Sequence, residues 1–161
     1  MIKREFPDLE LHISTQAAVT GPRYAALLQK MGAARIVLAR ELSLSEIRRI
    51  YEETGAELEV FAHGALCYSC SGLCLMSSFI GGRSGNRGRC AGTCRLPYEI
   101  YDANAKRLGR NGEKYVLSMR DLNTVKRLGE MIDAGVYSFK IEGRMKSPVY
   151  VAAVTAVYRK Y

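Results

Sequence analysis

Apolar positions along the chain alternate between short runs and helical spacings. Short apolar runs predict three strands in the first half of the chain, at residues 9–14 (LELHIS), 35–39 (RIVLA) and 57–62 (ELEVFA). Between them, GPRYAALLQKMG has helical spacing and is predicted to stop at Gly32, and Ser45 is expected to cap a second helix that ends at Gly55. The first half is therefore predicted to consist of βα units.

The same alternation returns in the last third of the chain. The predicted elements are a strand at 115–118 (YVLS), a helix at 121–134 stopped by Gly135, a strand at 138–142 (SFKIE) and a helix that begins at Ser147-Pro148. A small β-hairpin is predicted around Asn104 and Ala105. About five βα units are expected in all.

Polar residues follow the predicted strand ends. They are Ser14-Thr15-Gln16, Arg40-Glu41, His63, Arg120-Asp121 and Glu142-Gly143-Arg144. Barrel enzymes carry their chemistry on the C-terminal rim of the strands, whereas an open doubly wound sheet gathers its polar groups at one switch point. The spread of these residues favours an α/β fold of the TIM-like (β/α) barrel type, present in part, with a cysteine-rich insertion loop at 63–97.

Length and composition set further limits. With 161 residues, of which 48% are hydrophobic, the chain can bury one core, and we expect one domain over residues 1–161. The N-terminal MIKREFPDLELH lacks the apolar run of a signal peptide, and no segment approaches the roughly 18 apolar residues of a membrane helix. These features predict a cytoplasmic protein without a membrane partner.

Five cysteines lie in two short stretches, HGALCYSCSGLC and GRCAGTC. Cytosolic thiols stay reduced, and an odd number of cysteines argues against complete disulfide pairing, so metal binding or redox chemistry is favoured. One interpretation is a zinc site built from Cys67, Cys70, Cys90 and Cys94. Another is a peptidase in which Cys67 is the nucleophile and His63 the base.

Positive charge is concentrated beside the cysteines. Lys and Arg number 24 against 16 Asp and Glu, which gives a net charge of +8. Four arginines of GGRSGNRGRCAGTCR lie close together without an acidic residue, and Arg83, Arg87 and Arg89 among them are candidate contacts to RNA phosphates. The alternatives are a solvated loop and arginines that offset the negative charge of a thiolate cluster.

The segment ELEVFAHGALCYSCSGLCLMS resembles the signature of peptidase family U32. That signature reads Glu-x-Phe-x-x-Gly-Ala-aliphatic-Cys, four residues, then Gly-x-Cys-x-aliphatic-Ser. It is filled here by Glu59, Phe61, Gly64, Ala65, Leu66, Cys67, Gly72, Cys74, Met76 and Ser77. NRGRCAGTCRLPYE, SMRDL and FKIEGRMKSPVYVA are also similar to family segments. The resemblance implies a TIM-like barrel in which this chain begins near the fourth strand, so a complementary chain that supplies the missing strands is an expected partner.

The resemblance also implies a cofactor and a reaction. Its characterised relatives resemble iron–sulfur hydroxylases that work without oxygen, and the four recurring cysteines fall on Cys67, Cys74, Cys90 and Cys94 as ligands of a [4Fe–4S] cluster. Cys70 is then a spare thiol. The implied function is hydroxylation of a nucleobase in RNA, with tRNA uridine to 5-hydroxyuridine as the first choice. The alternatives are a collagenase-like U32 peptidase and a noncatalytic partner subunit of a split barrel.

Three further residues are candidate catalytic groups. His63 precedes the cysteine-rich loop and is a candidate proton shuttle or substrate contact, although a histidine at a strand end more often satisfies a local hydrogen bond. Glu142 and Arg144 resemble a family motif at the last barrel strand. They are expected to orient the substrate or an oxygen-donor carboxylate such as prephenate, and their alternative role is a salt bridge at the rim.

Overall fold

The computed structural model describes residues 2–109, 112–144 and 146–161, and five of the strands in that part of the chain form one sheet. These strands are β1 (Leu11–Ile13), β2 (Ala33–Val37), β3 (Glu57–Gly64), β6 (Leu122–Asn123) and β7 (Val136–Glu142). The parallel order is β1-β2-β3-β7, and β6 pairs antiparallel with the last two residues of β3. The predicted strands at 9–14, 35–39, 57–62 and 138–142 are confirmed with shifted ends.

Helices connect the parallel strands. The helices are α1 (Ile2–Glu5), α2 (Pro22–Lys30), α3 (Leu44–Thr54), α4 (Met76–Gly81), α5 (Leu128–Asp133) and α6 (Pro148–Tyr158), and single 3₁₀ turns occur at Thr15–Ala17, Gly85–Arg87, Thr93–Arg95 and Val125–Arg127. Strands β4 (Ile100–Tyr101) and β5 (Arg107–Leu108) form the predicted hairpin, with Ala105 in its turn at φ 59°. No helix among residues 2–109, 112–144 and 146–161 is both long and apolar enough to cross a membrane.

The prediction that Ser45 caps α3 is wrong by two residues. Ser43 is the N-cap, because its hydroxyl accepts from the backbone N–H of Glu46 while the Glu46 carboxylate accepts from the backbone N–H of Ser43 at 2.7 Å. This reciprocal pair satisfies two N–H groups that the helix itself leaves unpaired. Gly55 ends the helix in a left-handed conformation, as predicted.

The predicted strand at 115–118 is also wrong. Arg95 donates to the Ser118 hydroxyl at 2.7 Å and to the Met119 carbonyl at 2.6 Å, so this segment is tied to the cysteine-rich loop rather than to the sheet. The next strand is β6, held against β3 by the Thr124 hydroxyl, which donates to the Ala62 carbonyl at 2.9 Å. As a result α5 begins at Leu128 rather than at Asp121.

The core lies between the sheet and α2, α3 and α5. Ile36, Leu38, Ile50 and Leu58 are fully buried there, and Val60 packs beside them. Because side chains alternate along β3, Glu59 and Phe61 point to the opposite face of the sheet. There Glu59 is buried, in ion pairs with Arg35 and Lys140.

The sheet of the described residues is open, because β1 pairs only with β2 and β7 only with β3. The architecture is therefore α/β with a mainly parallel sheet. A closed barrel is not formed by these residues, and the TIM-like arrangement stays a prediction.

Candidate functional site at the C-terminal edge of the sheet

Polar side chains collect where the parallel strands end. Arg40 and Glu41 follow β2, His63 lies near the end of β3, and Glu142 is the last residue of β7. Gly64 is paired in register with Glu142, and at φ 107° it brings the two backbones so close that a Cβ at this position would overlap the Glu142 carbonyl oxygen. Glycine at position 64 therefore sets the spacing between the ends of β3 and β7.

All five cysteines line one cavity of about 80 Å³, which also borders Gln16 and Arg40. Every thiol is free. Cys70 is exposed, whereas the other four, Cys67, Cys74, Cys90 and Cys94, are half-buried. The fold thus brings the two cysteine-bearing stretches together at the C-terminal edge of the sheet.

Ser71 ties the first stretch to the end of β2. Its backbone N–H and its hydroxyl donate to the Glu41 carboxylate at 2.9 and 2.8 Å, and its hydroxyl accepts from the backbone N–H of Arg40 at 3.2 Å. Burial alone would raise the pKa of Glu41, but the hydrogen bonds from Ser71 hold that pKa below its ordinary value. The neighbouring Gly72 packs so closely that a Cβ there would lie 2.5 Å from the Gln16 carbonyl oxygen.

The second stretch is held by Ser77 and Arg95. The buried Ser77 hydroxyl accepts from the backbone N–H of Ala91 at 2.9 Å, and the N–H of Gly92 donates to the Cys90 sulfur at 3.3 Å. Arg95 donates to the Leu66 carbonyl at 2.6 Å, which connects this stretch to the residue before Cys67. These contacts hold the loop closed around the thiols.

The thiols fit a thiolate-ligated metal group in chemical kind. Burial raises the pKa of Cys94; Arg95 opposes this, and the nearby Cys67 and Cys90 add to it. In the described ranges no three His, Cys, Asp or Glu side chains are grouped tightly enough to hold a metal ion. The donors that line the cavity are soft sulfur atoms, the kind that iron–sulfur clusters and zinc prefer, but in this structure they are spaced more widely than a bound metal ion requires.

Arg40 is a functional candidate that the sequence marked only as one of several polar residues at strand ends. Its guanidinium carbon lies 3.9 Å from the centre of the Phe61 ring, and its terminal nitrogen is 4.0 Å from Glu142. Burial lowers the pKa of Arg40, and the nearby Cys67 and Glu142 counteract this. Within the described structure the buried Nε of Arg40 has no hydrogen-bond partner. Arg40 is thus a half-buried cation whose Nε has no hydrogen-bond acceptor within the described residues.

His63 contacts two tyrosines of α6. Its Nδ1 is 3.3 Å from the Tyr158 hydroxyl, and its ring centre lies 6.0 Å from that of Tyr150. Among the described residues, its hydrogen bond goes to Tyr158 and none goes to Cys67. The nucleophile and base pair of the peptidase hypothesis is therefore not hydrogen-bonded in this structure.

Asp121, Lys146 and Tyr150 form a polar group beside His63; of these three residues the sequence pattern marks only Asp121, as one of the polar residues after a predicted strand end. Lys146 donates to the Asp121 carboxylate at 2.7 Å and Tyr150 at 2.8 Å. The hydrogen bond from Lys146 lowers the pKa of Asp121, while burial, followed by the bond to Asp121, raises the pKa of Tyr150 to about 12. Asp121 lies 25 positions from Lys146 and 29 from Tyr150, so the local sequence pattern does not predict that they meet.

The remaining candidates lie at the surface. Arg144 is exposed and donates its backbone N–H to Glu142 at 3.0 Å, whereas the ion pair of Glu142 is with Arg40. The alternative prediction of a Glu142–Arg144 salt bridge is therefore not what the described residues show. Arg83, Arg87 and Arg89 are all exposed. Arg83 donates to the Arg89 carbonyl at 3.1 Å, which closes the loop that carries them.

Comparison with known proteins identifies relatives over the full length of the chain. The profile of Peptidase family U32 matches residues 1–161. The 23S rRNA 5-hydroxycytidine C2501 synthase of Escherichia coli is 46% identical over 160 residues, which are 99% of this chain and 24% of that protein. The tRNA hydroxylation protein P1 of Bacillus subtilis is 41% identical over 162 residues, which are 98% of this chain and 38% of that protein.

A third relative is named for a different activity. The collagenase of Porphyromonas gingivalis is 36% identical over 163 residues, which are 94% of this chain and 39% of that protein. The chain thus spans between about a quarter and two fifths of these relatives. No solved structure matches it significantly. The full-length profile match and these identities show that the chain belongs to peptidase family U32.

Proposed function

We propose that this chain carries the iron–sulfur part of an enzyme that hydroxylates a nucleobase in RNA without oxygen, with tRNA uridine as the first choice of substrate. The observation that carries the proposal is the gathering of five free thiols around one cavity at the C-terminal edge of the sheet. Two of the relatives are named for the hydroxylation of rRNA and of tRNA, and this supports the reaction class.

Cys67, Cys74, Cys90 and Cys94 are the proposed ligands of a [4Fe–4S] cluster, which supplies electron transfer when bound. The half-burial of these four thiols and the exposure of Cys70 support this choice over a set that includes Cys70. The N–H of Gly92 already donates to the sulfur of Cys90. Such hydrogen bonds, together with the positive charges of Arg40 and Arg95, stabilise thiolates.

Arg40 is the proposed site for a carboxylate such as the oxygen donor prephenate. It lies between the thiol cavity and Glu142, and its buried Nε still lacks an acceptor within the described residues. An anion there would complete the neutralisation of the guanidinium. In this proposal Glu142 orients Arg40, and the exposed Arg144 contacts substrate from the solvent side.

Arg83, Arg87 and Arg89 are the proposed contacts to RNA phosphates. All three are exposed on one closed loop. This loop lies next to the thiol cavity, since its Gly85 is close to both Cys74 and Cys90. Phosphate contacts fix the position of a nucleic acid without reading its sequence. Bound RNA would then present a base toward the edge of the sheet. The cytoplasm, where RNA is modified, is the proposed location.

The sheet is proposed to be part of a TIM-like barrel that further polypeptide completes. Helix α6 (PVYVAAVTAVY) is strongly apolar, yet none of its residues is buried, and Val149 is 78% exposed. Exposed apolar surface of this kind normally marks an interface. We propose that the other barrel strands, in a complementary chain or in further sequence of the same protein, cover α6 and the free edge of β1.

Anaerobic reconstitution tests the cofactor directly. The purified chain is incubated with ferrous iron, sulfide and a thiol reductant, and a parallel sample receives zinc alone. The proposal predicts a brown protein with visible absorption and about four iron and four sulfide per chain. Stoichiometric zinc with no retained iron or sulfide would remove the cluster from the account and favour the zinc site.

A peptidase is the second candidate, because the collagenase of Porphyromonas gingivalis is 36% identical. Its test is the cleavage of gelatin by the chain and by Cys67→Ser. Cleavage that is lost in Cys67→Ser, without any hydroxylated nucleoside, would favour the peptidase. A chain that shows neither activity but restores hydroxylation to a complementary chain would be a noncatalytic partner subunit.

A further inference from the structure

We infer that Tyr158 fixes His63 in the tautomer that carries its proton on Nδ1, so that Nε2 is presented as a proton acceptor at the C-terminal edge of the sheet. The inference rests on the proposed function only for the identity of the substrate. The tautomer itself follows from the hydrogen bonds around the Tyr158 hydroxyl.

The Tyr158 hydroxyl has one proton, and it donates that proton to the carbonyl of Ala62. Its oxygen lies 2.8 Å from the carbonyl oxygen of Ala62, and a carbonyl can only accept, so Tyr158 is the donor. The backbone N–H of Thr124 is shared between this hydroxyl, at 3.2 Å, and the Ala62 carbonyl, at 3.1 Å, and an amide N–H can only donate. Tyr158 therefore has no second proton to give.

The contact with His63 then has one consistent direction. Nδ1 of His63 lies 3.3 Å from the Tyr158 oxygen, and two oxygen or nitrogen atoms form a hydrogen bond only if one supplies a proton. Because the Tyr158 proton goes to Ala62, Nδ1 of His63 has to be the donor. A neutral imidazole has a single N–H, so Nε2 keeps its lone pair.

Among the described residues, none is hydrogen-bonded to this nitrogen, Nε2 of His63. Within the described residues the hydrogen-bonded nitrogen of His63 is Nδ1, and the ring is only half-buried. Tyr150 is the other aromatic neighbour, but its hydroxyl donates to Asp121 at 2.8 Å and its pKa is raised to about 12. Tyr150 therefore stays a neutral phenol with its proton held by Asp121, and does not compete for Nε2.

The chemical role of His63 is that of a general base. A proton leaves the bound substrate and joins Nε2, the substrate keeps the electron pair, and the resulting imidazolium still donates Nδ1–H to Tyr158. This step is a proton transfer and changes no oxidation state. Tyr158 is then a positioning residue, because it acts on the substrate only through His63.

Nitrogen-15 NMR of the whole chain tests the tautomer, because the two ring nitrogens of a neutral histidine resonate in different ranges according to which one is protonated. The chain has only two histidines, and His12→Gln assigns their signals. At alkaline pH, where imidazole is neutral, His63 is expected to show a protonated Nδ1 and an unprotonated Nε2. A protonated Nε2 in His63 would overturn the inference.

His12 provides an internal reference of the opposite kind. Its Nε2 lies 3.0 Å from the carboxylate of Glu10, which can only accept when ionised, so His12 is expected to be protonated on Nε2. The two histidines should therefore show reversed patterns in one spectrum. Identical patterns would contradict the assignment of either His63 or His12 from these hydrogen bonds.

Substitution of Tyr158 separates positioning from a merely structural role. Tyr158→Phe keeps the ring, and the Ala62 carbonyl keeps its bond from the Thr124 hydroxyl at 2.9 Å. The variant should lose the preference for Nδ1–H, whereas Tyr161→Phe, at a tyrosine that is 86% exposed, should preserve it. An unchanged His63 spectrum in folded Tyr158→Phe would refute the inference. This readout needs no RNA, so failure of the proposed function would not be mistaken for failure of the tautomer.

Discussion

Replacement of Gly64 by Ala should weaken both the fold and the site, because two separate penalties meet at this position. Gly64 has φ 107°, a conformation that L side chains rarely adopt, and its Cβ would lie well inside the 3.0 Å that real Cβ atoms keep from the Glu142 carbonyl oxygen. The left-handed backbone costs about 1–2 kcal/mol, and overpacking costs about 1–3 kcal/mol. We therefore expect a loss of ~2–5 kcal/mol from a total stability of about 5–15 kcal/mol.

Gly55 supplies the matched control. It also has a positive φ, 59°, but a Cβ there would meet nothing within 4 Å. Gly55→Ala should therefore cost only the backbone penalty of about 1–2 kcal/mol. Urea unfolding of the parent and both variants, followed by circular dichroism, gives the free energies of unfolding. If Gly64→Ala were no more destabilising than Gly55→Ala, the close approach of β3 and β7 would be refuted.

Three further predictions concern the thiols, the basic loop and the anchor of the cysteine-rich loop. Changing any one of Cys67, Cys74, Cys90 or Cys94 to Ser should remove most of the iron and sulfide bound on reconstitution. Cys70→Ser, at the exposed thiol, should retain most of the iron and sulfide. Equal losses in the Cys70 and Cys74 variants would indicate another ligand set. The triple change of Arg83, Arg87 and Arg89 to Gln should reduce the slope of log K for tRNA binding against log salt concentration by about two to three units. The same charge change at the exposed Lys30, Arg48 and Arg49 of the helical layer should leave this slope unchanged. An unchanged slope in the first variant would exclude this loop as an RNA contact. Burial raises the pKa of Glu41, but the hydrogen bonds from Ser71 hold the folded-state pKa below the ordinary value of 4.5. The stability that these bonds contribute is therefore present above pH 4.5 and is lost as the pH falls through the folded-state pKa. The free energy of unfolding of Glu41→Gln should accordingly depend less on pH than that of the parent between about pH 5 and pH 3. Parallel plots of the free energy of unfolding against pH for the two proteins would contradict this.

The parallel strands could be predicted from the sequence because their signals are local. β2 and β3 are short, largely apolar runs next to helices that end near a glycine, and the structure confirms both. The cap of α3 was also available locally, since Ser43 stands three residues before Glu46. The choice of Ser45 overlooked this spacing.

Other features depend on residues distant in sequence. YVLS has the pattern of a strand, but Arg95 binds Ser118 and Met119 from more than 20 positions away and keeps them off the sheet. The position of the half-buried Arg40 over the Phe61 ring likewise arises only when β2 and β3 are paired. The family pattern marks Cys67, Cys74, Cys90 and Cys94, and the structure brings them to one cavity together with Cys70. Tyr158 and Asp121 acquire their contacts from the packing of α6.

Nucleoside analysis of cellular RNA tests the proposed hydroxylase most directly. Total tRNA and rRNA from cells with and without the gene are digested and measured by mass spectrometry, and the deleted strain is complemented with the parent gene or with Cys74→Ser. The account predicts that a hydroxylated pyrimidine disappears on deletion and returns with the parent gene but not with Cys74→Ser. Identical levels of hydroxylated nucleosides in all four strains would contradict it.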